Sequence, residues 1–189
     1  MKGRTITALI IVAFGFGASL GMLGWLAKGP MEATLSNGRP AWTEVAWPFA
    51  NDEWGKGKAF RCQTTSCGAE INLYIRAKLG FCNCETGIAD DTDLERMGDL
   101  YLVGGQTAAL GVGRPITVGH MMGRSRAYTL TARSPVGKTA ISVAFNDRCD
   151  MIVATVVVPH DQPEGIELEA IEFLNGRIVR RWAEVTLGL

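Results

Sequence analysis

Four cysteines, Cys62, Cys67, Cys82 and Cys84, sit within one stretch of the chain in two close pairs. Thiols at such spacing can do three kinds of chemistry. They can form structural disulfides, which restrict the unfolded chain and stabilise by about 2–4 kcal/mol each. They can hold zinc as four thiolates, although zinc knuckles use wider spacing than Cys82-Asn83-Cys84. They can also exchange disulfides or bind soft copper ions, as Cys-x-Cys pairs do. Between the pairs, Ile71, Leu73 and Ile75 alternate with Asn72, Tyr74 and Arg76. That period of two predicts a half-buried strand. A bend at Gly80 would then fold the two pairs together. The tight ring of a Cys82–Cys84 bridge disfavours that pairing and points to bonds between the clusters. Cys149 is left as a partly buried thiol or as the partner of one of the four.

The compartment decides between these chemistries. Lys2 and Arg4 precede an apolar run over residues 6–26, which Lys28 closes. A bilayer span needs roughly 20 apolar residues, whereas the apolar core of a cleaved signal has about 7–15. No good small-x-small cleavage site follows. The expectation is an uncleaved anchor over 1–28, a linker over 29–40 and an exported domain over 41–189. The positive residues at the start would stay in the cytoplasm. This gives a single-pass protein of a bacterial inner membrane with its C-terminal domain in the periplasm. Ala13, Gly17 and Gly21 form a small-residue row through which two anchors could dimerise. Export favours oxidised thiols, hence disulfides.

Charge balances overall, with 19 basic and 19 acidic residues, yet it is segregated. Leu100 to Asn146 contains no Asp or Glu, while Arg114, Arg124 and Arg126 lie within it. These arginines are candidates for binding an anionic lipid or another envelope protein. The alternative is that they pair with the chain's own acidic stretches, Glu85 to Asp99 and Asp161 to Glu172. Nothing suggests nucleic-acid binding, and no cofactor motif is present.

Catalytic motifs are also missing: there is no HExxH, GxSxG or CxxCH. His120-Met121-Met122 offers soft ligands, but neighbours in a strand point to opposite faces. Asp91, Asp93 and Glu95 begin like a calcium loop, then Arg96 replaces the glycine that the loop requires.

The elements that must position these residues are mostly strands. Alternation around Ile116–Met121, Ala127–Thr131 and Ile141–Phe145, followed by the β-branched run Met151–Val158, predicts an antiparallel meander. MMGRS, SPVGK and NDRCD would be its turns. Asp91 or Thr92 would cap a short helix ending at Gly98. The period then changes. Ile166, Ala170, Phe173 and Leu174 share one helical face, with Glu164, Glu167 and Glu172 mostly opposite. After Asn175-Gly176, the residues Ile178, Val179, Trp182 and Val185 repeat the helical spacing. The fold class is α+β, with C-terminal helices packed on a mainly antiparallel sheet. The functional expectation is a membrane-anchored, non-catalytic binding or assembly module braced by disulfides. Its rival is a thiol redox or zinc/copper-handling protein that uses the cysteine cluster.

Overall fold

The computed structural model describes residues 41–80, 84–131, 138–159 and 163–189. The apolar run 6–26, the row Ala13, Gly17 and Gly21, the linker 29–40, residues 134–137 of the SPVGK turn, and Cys82 and His160 lie outside the described residues. Among those described, no helix is long and apolar enough to cross a membrane.

Seven strands form one antiparallel sheet: β1 (Trp42–Val45), β2 (Lys58–Cys62), β3 (Ile71–Lys78), β4 (Gln106–Val118), β5 (Met121–Thr131), β6 (Lys138–Asp147) and β7 (Asp150–Pro159). Their order is β1-β2-β3-β7-β6-β5-β4. The predicted meander is β4 to β7, and the first three strands extend it by pairing β3 with β7. The α+β expectation therefore holds for the described domain.

One predicted turn is misplaced. MMGRS lies inside β5, and the chain reverses at Gly119-His120. Gly119 takes φ +63°, which a residue without a side chain adopts freely. Gly123 serves a close approach between strands, since a Cβ there would lie 2.1 Å from the Ala144 carbonyl oxygen. NDRCD is a turn as expected, with Arg148 at its tip at φ 50°.

Strand alternation divides the side chains between the two faces. Ile71, Leu73 and Ile75 of β3 share one face with Ile141, Val143 and Phe145 of β6 and with Ile152, Ala154 and Val156 of β7. Two helices cover this face, α3 (Pro163–Leu174) and α4 (Arg177–Leu187). Ile166, Ala170 and Leu174 enter the core from α3, as their spacing predicts, and Phe173 stacks on Trp42 at 4.8 Å. On α4 the buried row is Val179, Ala183 and Leu187, while Ile178 and Val185 are exposed. The expected α4 face is thus partly rotated: of the four apolar residues singled out, Val179 is in the core and Trp182 packs against it, while Ile178 and Val185 are exposed. Each fully buried side chain of this size contributes roughly 1.5–3 kcal/mol. Glu167 also departs from expectation. It lies on the inner side of α3, 6% exposed, where Ser125 and Arg114 donate hydrogen bonds to it.

The other face carries a smaller core of Ile88, Leu94, Met97, Ala144, Met151 and Val153. On this second face α2 (Asp91–Met97) packs over β5 and β6, whereas α1 (Thr64–Cys67) is a single turn whose Cys67 packs against the main core. The N-cap of α2 is Asp90, which accepts a bond from the Asp93 amide at 2.9 Å, one residue before the expected position.

Candidate ligand cavity and its ionic network

The cysteines do not form one cluster. Cys62 bonds Cys67, and Cys84 bonds Cys149. The expectation of bonds between the clusters is corrected, and Cys149 is the partner of Cys84. The physical reason is β3. Cys62 lies opposite Ile71 at its start, whereas Lys78 at its end pairs with Met151, just after Cys149. Eight residues of extended chain hold the two sites roughly 24 Å apart instead of bringing them together. Each bond ties down a local segment. Cys62–Cys67 clips the turn that follows β2. Cys84–Cys149 fastens the loop before α2 to the β6–β7 turn, where Asn146 Oδ1 also accepts from the Ile88 amide at 3.2 Å. Among the described residues, no three His, Cys, Asp or Glu side chains gather as a metal site. His120 is exposed beside Asp147, and Met121 is buried while Met122 is exposed.

The arginines singled out above lie on two faces. Arg124 and Arg126 of β5 reach α2. Arg124 Nε donates to Asp91, and Arg126 donates to Glu95 at 2.7 Å and to the Gly111 carbonyl at 2.8 Å. A bulge in β4 between Leu110 and Arg114 makes this possible. A Cβ at Gly113 would lie 2.3 Å from the Asp91 carboxylate; without one, the Gly113 amide donates to Asp91 at 3.0 Å. That amide, followed by Arg124, keeps the Asp91 carboxyl below its usual range. Arg114 faces the opposite way and donates to Glu167. The acidic stretches of the chain therefore supply partners for all three arginines.

The most concentrated polar chemistry on the domain involves residues that sequence reasoning passed over. Arg76 and Lys78 follow the alternation of β3 onto the α2 face, where they are 1% and 4% exposed. Arg76 donates to both oxygens of Asp99, at 2.5 and 2.8 Å, and to both oxygens of Asp52, at 2.7 and 2.8 Å. It also donates to the Tyr101 hydroxyl, which in turn donates to Asp52 at 2.9 Å. Lys78 lies 2.8 Å from Asp99, donates to the Met97 carbonyl at 2.8 Å and sits under the Trp54 ring at 5.3 Å. Two cations thus meet two carboxylates, so the group is neutral as a whole.

Both carboxylates come from irregular chain: Asp52 from the loop after β1, and Asp99 from the link between α2 and a 3-10 turn (Leu100–Val103). The Arg76 hydrogen bonds hold Asp52 down to about 2, against the burial that opposes its charge. Burial opposes the charge of Arg76 too, but its bonds to Asp99 and Asp52 outweigh this and raise its pKa. Burial, then the bond to Asp52, pushes Tyr101 up to about 12. Asp52, Arg76 and Tyr101 are therefore fixed in their ordinary charge states at neutral pH. None of the three is poised to exchange a proton.

Beside the network lies a cavity of about 660 Å³ between α2, the loop carrying Trp54 and the outer half of β4. That volume is within the range of small-molecule sites, about 300–1,000 Å³. Trp54, Lys78, Tyr101 and Met97 form one side, and Thr107, Ala109 and Tyr128 the other. Tyr128 is 3% exposed, and its hydroxyl makes no hydrogen bond of normal geometry among the described residues. Burial, then the charge of Glu95, raises its pKa, while Arg126, 5.7 Å from its ring, opposes this through its charge and through a side-chain interaction with the hydroxyl.

No protein-family model and no curated protein matches this chain.

Proposed function

We propose that this chain is a non-catalytic binding module of the cell envelope, tethered by residues 6–26, and that it holds a small polar ligand in the α2-face cavity. The observation that carries this reading is the ligand-sized cavity itself, walled by Trp54, Tyr101 and Tyr128 beside the Asp52–Arg76–Lys78–Asp99 network. The neighbouring charges support binding over catalysis, because Asp52, Arg76, Lys78 and Asp99 already satisfy one another. They make a rigid polar floor and leave no free base or nucleophile among them. Two disulfides agree with an oxidising compartment outside the cytoplasm. A redox role would require an accessible thiolate of lowered pKa. Cys62 is fully buried in the main core, which favours a staple.

The test is thermal unfolding of the full chain in detergent, with and without a small-molecule extract of the envelope. A ligand that binds only the folded state raises the midpoint by mass action. The rise should disappear in Ala109→Trp, whose ring fills the cavity. An extract that leaves the wild type unmoved, or shifts both proteins equally, argues against the cavity.

A further inference from the structure

We propose that the outer face of α4 docks on an anionic lipid surface. This goes beyond the cavity reading and stands on a different face of the domain. The core row of α4 is Val179, Ala183 and Leu187. At 100° per residue, Ile178, Trp182 and Val185 fall within an arc of roughly 60° beside that row. Ile178 is 69% and Val185 72% exposed, and Trp182, at the core-side edge of the arc, is partly exposed and packs against the core. Exposed apolar residues scattered singly are ordinary. Two in one arc, edged by a partly exposed tryptophan, form a stripe of the kind that settles at the headgroup level of a bilayer.

The flanking charge selects the surface. Arg177 and Arg181 are exposed on the side of the stripe away from the core and make no ion pair or hydrogen bond among the described residues. The one acid of α4, Glu184, lies almost in line with Arg177 along the helix and pairs with Arg180 at 3.6 Å. That side of the stripe carries Arg177, Arg180 and Arg181 against the single acid Glu184, a net positive border that complements anionic headgroups. A second copy of α4 would bring cations against cations, so self-association through this face is opposed.

The position of α4 fits such a surface. The described chain begins at the edge strand β1, where Trp42 stacks on Phe173 of α3, and α3 and α4 cover the same sheet face. The cavity lies on the opposite face, so docking through α4 leaves its mouth open to the aqueous side. The anionic lipid expected at Arg114, Arg124 and Arg126 is better served here, where the arginines lack internal partners among the described residues.

The test places photoreactive benzoylphenylalanine at Ile178, or at Met122 on the other sheet face as a control, in the full chain. The protein is reconstituted in vesicles of phosphatidylcholine alone or of phosphatidylcholine with phosphatidylglycerol. Illumination should give lipid adducts at position 178 that depend on phosphatidylglycerol and weaken with salt, and few at position 122. Arg177→Gln with Arg181→Gln should reduce the docking equilibrium by roughly thirty-fold, the effect of two cations at an anionic surface. Both arginines are exposed, so the unfolding midpoint should stay put and exclude misfolding as the cause. Adducts to protein, no adducts, or equal lipid adducts in both vesicles would overturn the proposal.

Discussion

Neutralising Asp99 should cost more than its single position suggests. Asp99 is 3% exposed and accepts two hydrogen bonds from Arg76 while pairing with Lys78 at 2.8 Å. Asp99→Asn keeps the volume but leaves two buried cations facing Asp52 alone. Removing one partner of a buried ionic group costs about 3–5 kcal/mol, because the remaining charge cannot return to water. Against a whole-domain stability of roughly 5–15 kcal/mol, this is a large fraction. The second half of the prediction is a double-mutant cycle. Lys78→Met added to Asp99→Asn removes one of the two stranded cations and should recover about 2 kcal/mol of the loss. The assay is urea unfolding of the oxidised full chain in detergent, followed by tryptophan fluorescence, with an unchanged denaturant slope required for comparison. A cost below about 1 kcal/mol for Asp99→Asn, together with additive behaviour of Lys78→Met, would refute the view that the network is a coupled buried unit.

Other consequences can be checked in the same way. The Asp52 carboxyl is held down to about 2 in the folded chain against 3.8 ordinarily, so its contribution is complete above about pH 4 and is lost as pH falls toward 2. Acid unfolding of Asp52→Asn should lack that portion of the pH dependence. Cys84 and Cys149 are 65 residues apart and Cys62 and Cys67 only 5, so replacing the first pair by serine should cost about 4 kcal/mol and the second about 2. Comparable unfolding midpoints for the two double variants would contradict this order. Tyr128→Phe removes a buried hydroxyl that makes no hydrogen bond of normal geometry among the described residues and should leave the stability of the chain within about 1 kcal/mol of wild type. A clear loss of stability would mean that the hydroxyl is satisfied within the protein.

Much of the scaffold was legible because it depends on local pattern. The alternation of Ile141, Val143 and Phe145 and the β-branched run of β7 record burial directly, and Ile166, Ala170 and Leu174 record the face of α3. The polar floor was not legible for a physical reason. Asn72, Tyr74, Arg76 and Lys78 have the composition of a solvated strand face. What buries Arg76 and Lys78 is Asp52 and Asp99, each more than twenty residues away in irregular chain. Periodicity reports what a residue prefers, not which distant loop covers it. The glycines were ambiguous in a similar way. Gly119 makes the turn and Gly123 lets β5 approach β6, and a sequence shows both only as missing side chains. On α4, Ile178 and Val185 satisfy a helical period as well as Val179 does, and only the sheet decides which row is inside. The cysteine pairing had one usable signal, the fifth cysteine in the turn-forming NDRCD segment.

The central claim is that the α2-face cavity holds a small ligand. Native mass spectrometry of the full chain released gently from the envelope membrane tests it most directly. The account predicts a wild-type species heavier than the oxidised polypeptide by one small molecule, which is lost on activation and missing from Ala109→Trp. A wild type that carries no added mass, or an adduct that Ala109→Trp retains undiminished, would contradict it.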